Sequence, residues 1–261
     1  MTETAGAATF KQRFAGGEFL YGTFLKTPTT HATEILGIAG YNFVVVDQEH
    51  APFGRESTDA VMLACRASGV AGIVRVPDSS ASSILSVLDC GAAGVLVPHV
   101  DSPAKARDVV AACRYGGGHR GFSNTTRAGG FGEASIADHV ANQDRDVCVI
   151  AMIEDPHALE TIDEIVATEG LDGFFIGRGD LTVAYGAASP SADAVRDATD
   201  RIIAAARKAG KPVCALTGSR EDARDLASKG VTGFMMASDQ GFLRQAAKAA
   251  LAEISSSVLE V

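Results

Sequence analysis

The 261-residue chain has no tryptophan, few aromatics (6%) and only five cysteines: Cys65, Cys90, Cys113, Cys148 and Cys214. An odd count with no C-x-x-C pair excludes a disulfide framework and a zinc knuckle. No apolar run approaches the ~18–20 residues that span a bilayer, so no membrane partner is expected. Met1-Thr2-Glu3-Thr4-Ala5-Gly6 lacks the basic-then-apolar pattern of a signal peptide, and a cytoplasmic location is expected. Positive charge is also short. With 23 lysines and arginines against 32 acids, the net charge of −9 argues against nucleic acid, which needs a basic face. A small metabolite is the expected partner. What the chain has in quantity is apolar residues, 46% of the total, enough for a large core without staples.

Those residues fall into short β-branched runs: Tyr21–Phe24, Phe43–Val46, Gly72–Val76, Gly94–Val97, Val147–Ile153, Gly173–Ile176, Pro212–Leu216 and Gly233–Ala237. The runs are almost continuously apolar, as suits parallel strands covered on both faces. Helical patterns fill the gaps, among them 59–68, 82–88, 103–114, 156–167, 192–209 and 220–229. Gly40, Gly69, Gly91, Gly170, Gly210 and Gly230 stand between a helix and the next strand, where a helix C-cap belongs. The alternation predicts one (β/α)8 TIM barrel domain over residues 1–261, with a doubly wound open sheet as the alternative. Residues 11–14 would form a short helix closing the bottom. The stretch 115–133, with seven glycines, breaks the rhythm and reads as a long loop.

A barrel of this kind carries its chemistry at the C-terminal ends of the strands. There the sequence turns charged: Asp47-Gln48-Glu49-His50 after the second strand, Arg75 in the third, Glu154-Asp155 after the fifth, Gly177-Arg178-Gly179-Asp180 after the sixth. Glu154 and Asp180 end neighbouring strands and suit a hard divalent cation, Mg²⁺ or Mn²⁺, with positions left for water and substrate. Helix N-capping is the competing reading for each acid. His50 follows Asp47 by three residues, where a carboxylate would orient its imidazole for proton transfer. Arg75 cannot lose its charge and needs an anionic partner, either a substrate oxygen or, as a plain salt bridge, Asp47 or Glu49. The Gly177–Asp180 turn would offer amides to a carboxylate. Thr217-Gly218-Ser219 is an unspecific phosphate candidate. Lys26 alone lies near a C-terminal strand end and strand six has no lysine, which disfavours a Schiff-base aldolase.

The segments Val44-Val45-Val46-Asp47-Gln48-Glu49-His50 and Val74-Arg75-Val76-Pro77 resemble the metal-dependent, class II pyruvate aldolases of the HpcH/HpaI family. Leu88-Asp89-Cys90-Gly91-Ala92-Ala93-Gly94-Val95-Leu96-Val97-Pro98, Met152-Ile153-Glu154 and Phe175-Ile176-Gly177-Arg178-Gly179-Asp180-Leu181 follow in family order. The resemblance covers about residues 10–240. It implies reversible cleavage of a 4-hydroxy-2-oxo acid to pyruvate, formed as its enolate, and an aldehyde. It also implies a divalent metal (Mg²⁺ or Mn²⁺, with Co²⁺ possible) on Glu154 and Asp180. Arg75 would stabilise the enolate, His50 with Asp47 would handle protons, and amides near Gly179 and Asp180 would hold the pyruvate carboxylate. The family pattern also marks Asp89 as catalytic, although it precedes the fourth strand, at the opposite rim. The family implies homohexamers, trimers of dimers, with active sites near subunit interfaces and the last helix packed on a neighbour.

This chain departs from the family at three places. Met152 replaces a frequent glutamine, Phe24 replaces a tryptophan, and Tyr115–Gly121 replaces a proline-rich Y-P-P-x-G-x-R-G loop, keeping Arg120. These changes imply a more flexible loop and a different aldehyde preference, set there and near Leu216. Two alternatives are a citrate-lyase-β-like lyase of acyl-CoA esters and a catalytically silent barrel serving as a binding subunit.

Overall fold

All eight apolar runs become parallel strands. A computed structural model describes residues 8–259, so Met1–Gly6 lies outside the described residues. The strands are β1 (Leu20–Leu25), β2 (Phe43–Asp47), β3 (Ala71–Arg75), β4 (Gly94–Val97), β5 (Cys148–Ile153), β6 (Gly173–Ile176), β7 (Val213–Thr217) and β8 (Gly233–Ser238). They pair in sequence order, and β1 pairs with both β2 and β8, so the sheet closes. The open-sheet alternative is excluded. Around the barrel run α1 (Phe10–Ala15), α2 (Thr30–Ile38), α3 (Arg55–Ser68), α4 (Ala81–Asp89), α5 (Pro103–Cys113), α6 (Ile136–Asp146), α7 (Ile162–Ala167), α8 (Arg178–Ala184), α9 (Asp193–Lys208), α10 (Arg220–Lys229) and α11 (Asp239–Leu259). Among the described residues, no helix is long and apolar enough to cross a membrane.

A strand shows alternate residues to opposite faces, and the barrel sorts them into two cores. Phe43, Val45, Ile73, Leu96, Ile150, Met152, Phe175 and Cys214 fill the interior. Val44, Val46, Val74, Val95, Val149 and Ile153 pack against the helices. Burial of each such side chain stabilises the fold by about 1.5–3 kcal/mol. The helix expected at 11–14 is α1, and its Phe10 and Phe14 plug the N-terminal end. The plug fits because Gly173 has no side chain: a Cβ there would lie 2.4 Å from the Phe14 ring.

All six glycines expected as helix terminators have positive φ, from 68° at Gly210 to 105° at Gly230, where other residues are strained. Two expectations are corrected. The helix expected over 156–167 is split into a 3-10 stretch, Pro156–Thr161, followed by α7. The 115–133 loop is pinned rather than loose. The Tyr115 amide donates to Asp144 Oδ1 at 2.8 Å, and Arg127 grips Asp59 through Nε and Nη2 at 3.1 and 2.6 Å.

Candidate active site

Carrying the inward alternation past each strand end brings Lys26, Asp47, Arg75, Glu154, Gly177 and Leu216 to the inner face at the C-terminal mouth, one step beyond Phe24, Val45, Ile73, Met152, Phe175 and Cys214. A cavity of about 480 Å³ opens there, lined among others by Phe24, Arg75, Met152, Gly179, Asp180 and Leu216. The register of β2 against β3 pairs Asp47 with Arg75. Arg75 donates to Asp47 through Nε at 3.0 Å and Nη2 at 2.8 Å, and Nη1 lies 3.2 Å from Glu49. Its guanidinium also sits 4.7 Å above the Phe24 ring. Both salt bridges weighed for Arg75 are therefore formed, and they hold the guanidinium at the cavity wall rather than remove it from the cavity.

Asp47 is fully buried. Besides Arg75 it takes the His50 amide at 3.1 Å and Lys26 Nζ at 3.0 Å. Burial opposes its ionisation, yet the Arg75 guanidinium, the His50 amide and Lys26 together hold the carboxyl below the usual carboxylate range. The expected Asp47–imidazole pairing is corrected. Asp47 binds the backbone of His50, whereas the imidazole Nε2 stands 3.6 Å from Glu49 and is 56% exposed. Lys26, tied to Asp47, is not placed as a free Schiff-base amine.

Glu154 is buried at the mouth. Its Oε1 accepts the His99 amide at 2.9 Å. Burial, with the Asp180 and Glu49 carboxylates as smaller causes, drives its pKa up to about 7 against that amide and the His99 ring. Helix capping is not its role, since Asp155 is the residue that precedes the 3-10 turn. Asp180 lies exposed in the first turn of α8. A buried acid strained by two neighbouring acids fits a cation, and two carboxylates leave most positions of a hard ion to water and substrate. Among the described residues, no group of three or more His, Cys, Asp or Glu side chains is arranged to hold a metal, so a cation here would have at most this pair as protein ligands. Space for it depends on Gly177, where a Cβ would lie 2.6 Å from Glu154 Oε2 and 2.5 Å from its Cβ. Gly177→Ala is expected to weaken Mn²⁺ binding about tenfold by displacing the acid. A Mn²⁺ titration followed by electron paramagnetic resonance checks this, and unchanged affinity would mean the acid has room to move.

Asp89 and Arg120 are not brought to this mouth within the chain. Asp89 ends α4 on the outer layer, its Oδ1 3.7 Å from Arg120 Nη2. Burial raises its pKa. Arg120 stacks over Tyr115 at 4.5 Å and donates to Gln143 at 3.2 Å. Asp89 Oδ1, Arg120 Nε and Nη2, and His139 Nδ1 are buried without a hydrogen bond among the described residues. The sequence reading missed His99 as a rim residue and did not foresee that Lys26 pairs with Asp47. The strand-end rule applied to β4 would have found His99, two residues beyond Val97.

A closed parallel barrel with an arginine and acids gathered at its C-terminal mouth defines a TIM-barrel enzyme. The chain belongs to the HpcH/HpaI aldolase/citrate lyase family, whose pattern matches residues 20–246, and is thereby a carbon–carbon lyase. It is 34% identical to the 5-keto-4-deoxy-D-glucarate aldolase of Klebsiella pneumoniae, over 91% of this chain and 93% of that one. A family protein from Burkholderia cenocepacia J2315 has a similar structure, with TM-score 0.88 and 30% identity over 94% of this chain and 98% of that one. Citrate synthase SbnG is also similar, with TM-score 0.87 and 30% identity over 95% and 98%. The citrate lyase beta subunit of M. tuberculosis is more distant: 16% identity over 88% of this chain and 95% of that one, TM-score 0.60, a likeness of fold alone.

Proposed function

We propose that this chain is a class II pyruvate aldolase that reversibly cleaves a 4-hydroxy-2-oxo acid to pyruvate and an aldehyde. The observation that carries the reading is the gathering, at one barrel mouth, of a guanidinium fixed at three donors and a buried acid, Glu154, packed behind the Gly177 of the cavity wall. Glu154 and Asp180 would hold the divalent ion, Mg²⁺ or Mn²⁺ with Co²⁺ as a further candidate. When bound, it supplies Lewis-acid polarisation of the 2-oxo group.

The chain's own residues do the rest. Arg75, locked by Asp47 and Glu49, presents its remaining N–H groups to the oxygen on which negative charge develops as the C3–C4 bond breaks. Such preorganised donors lower the barrier because they need no reorientation. The turn at Gly179 and Asp180 orients the pyruvate carboxylate. His50, exposed and beside Glu49, takes the C4 hydroxyl proton. Phe24, Met152 and Leu216 form apolar walls around the reacting carbons, and Leu216 borders the aldehyde end.

The outer cations of the cleft are already paired, Arg178 with Asp222 and Lys229 with Asp200 and Asp225, which argues against an acyl-CoA phosphate site. Asp89 and Arg120, remote from the mouth of their own chain, would serve only across a contact between copies. The exposed Leu243 and Leu251 of α11 suit such a contact in a trimer of dimers.

Pyruvate methyl protons are expected to exchange with D₂O in the presence of Mg²⁺ or Mn²⁺, and to stop exchanging with EDTA. Proton NMR reads this without a choice of aldehyde. No exchange with any divalent ion would overturn the reading in favour of the silent barrel or another lyase.

A further inference from the structure

One residue beside Glu154 has a backbone it would not adopt freely. His99, just beyond β4, has φ of 53°, in the left-handed region that favours glycine. Its amide donates to Glu154 Oε1 at 2.9 Å, a bond that glycine would make without strain. The imidazole is what the strained conformation retains. Nδ1 lies 3.1 Å from Asp155 Oδ2 and 3.5 Å from Glu154 Oε1, and Nε2 lies 4.0 Å from Glu49 Oε1. Glu49 in turn stands 3.2 Å from Arg75 and 3.6 Å from His50. The ring therefore sits where the β2, β4 and β5 ends converge, between Glu154 and the group formed by Glu49, Arg75 and His50. A non-glycine residue held in such a region persists where surrounding contacts over-determine it, and such positions cluster at functional sites.

We propose that His99 is a positioning residue: seated among Glu49, Glu154 and Asp155, its ring fixes the Glu154 carboxylate for the cation and ties it to the group that carries Arg75 and His50. This rests on the reading of Glu154 as a cation ligand. The role is that of an outer-shell partner, whose removal typically lowers metal affinity about 10–100-fold.

The test compares the full chain with His99→Gly, His99→Asn and Glu154→Gln, using Mn²⁺ alone as the probe. Free Mn²⁺ is followed by electron paramagnetic resonance, and thermal melting is recorded for each variant. His99→Gly keeps the amide, relieves the backbone and removes the ring. It should melt at or above the wild-type temperature while binding Mn²⁺ at least about tenfold more weakly. Asparagine tolerates the left-handed backbone and restores a polar group near Nδ1, so His99→Asn should recover most of the lost affinity. Wild-type affinity in His99→Gly, with Glu154→Gln impaired, would overturn this inference alone. Loss in His99→Gly accompanied by a lower melting temperature and no recovery in His99→Asn would also overturn it, by making the role structural. Wild-type affinity in Glu154→Gln would remove the cation reading and this inference with it.

Discussion

Replacing Arg75 with alanine is expected to abolish measurable pyruvate methyl exchange, a loss of about 10²–10³-fold or more, the usual cost of removing one oxyanion donor. The same change should destabilise the fold by about 3–5 kcal/mol, because it breaks a buried ion pair from one side. Asp47 is fully buried and loses its hydrogen bonds at 3.0 and 2.8 Å, keeping only Lys26 and the His50 amide. The two effects separate with Arg75→Lys. A lysine restores one charge beside Asp47 but cannot span Asp47, Glu49 and the cavity together, since its ammonium is a point donor rather than a planar fork. Arg75→Lys should therefore regain part of the stability measured by urea unfolding and little of the exchange. Full exchange in either variant, measured at matched folded fraction, would take Arg75 out of the mechanism.

Glu154→Gln should lower Mn²⁺ affinity by more than about 100-fold, beyond what loss of an outer-shell partner costs. The pH dependence is the sharper part of the prediction. Burial lifts the Glu154 carboxyl from an ordinary 4.5 to about 7, and a cation binds only its ionised form. Mn²⁺ affinity in the wild type should fall about tenfold per pH unit below that value and level off above it. Without metal the sign for stability runs the other way. A carboxyl whose folded pKa is raised binds its proton more tightly when folded. The stability it contributes is thus present in acid and lost as pH rises from about 4.5 to about 7. Glutamine does not titrate, so the contribution of this carboxyl to both slopes should vanish in the variant, and the difference from wild type isolates it. Resonance titrations and urea midpoints across this pH range measure them, and pH-independent wild-type Mn²⁺ binding would refute the assignment.

Local chemistry is what the sequence by itself determined. Each strand was legible because a strand buried on both faces must be apolar along its length, and the ends of β2, β4, β5 and β6 lie within a residue or so of the runs that announce them. Gly40, Gly69, Gly91, Gly170, Gly210 and Gly230 were legible as helix ends because a left-handed backbone disfavours any Cβ. Asp47, Arg75 and Glu154 stood out because a charge breaking an apolar strand must meet something, and the inward alternation then aims all three at one mouth.

Partners between strands were decided only by the tertiary structure. Whether Asp47 served Arg75 or the His50 ring depended on the register of β2 against β3, which sets Asp47 opposite Arg75. His99 belongs to the Glu154 group through a left-handed backbone that nothing in Val97-Pro98-His99 announces. Asp89 and Arg120 lie in segments that resemble the family, as the mouth residues do, but they pair outside the barrel, where Arg120 also meets Tyr115 and Gln143, because α4 and the 115–133 loop lie in the outer layer. Burial and hydrophobic period are properties of a segment and can be read along the chain. A hydrogen-bond partner is a property of two segments, fixed only when the barrel closes and sets their stagger.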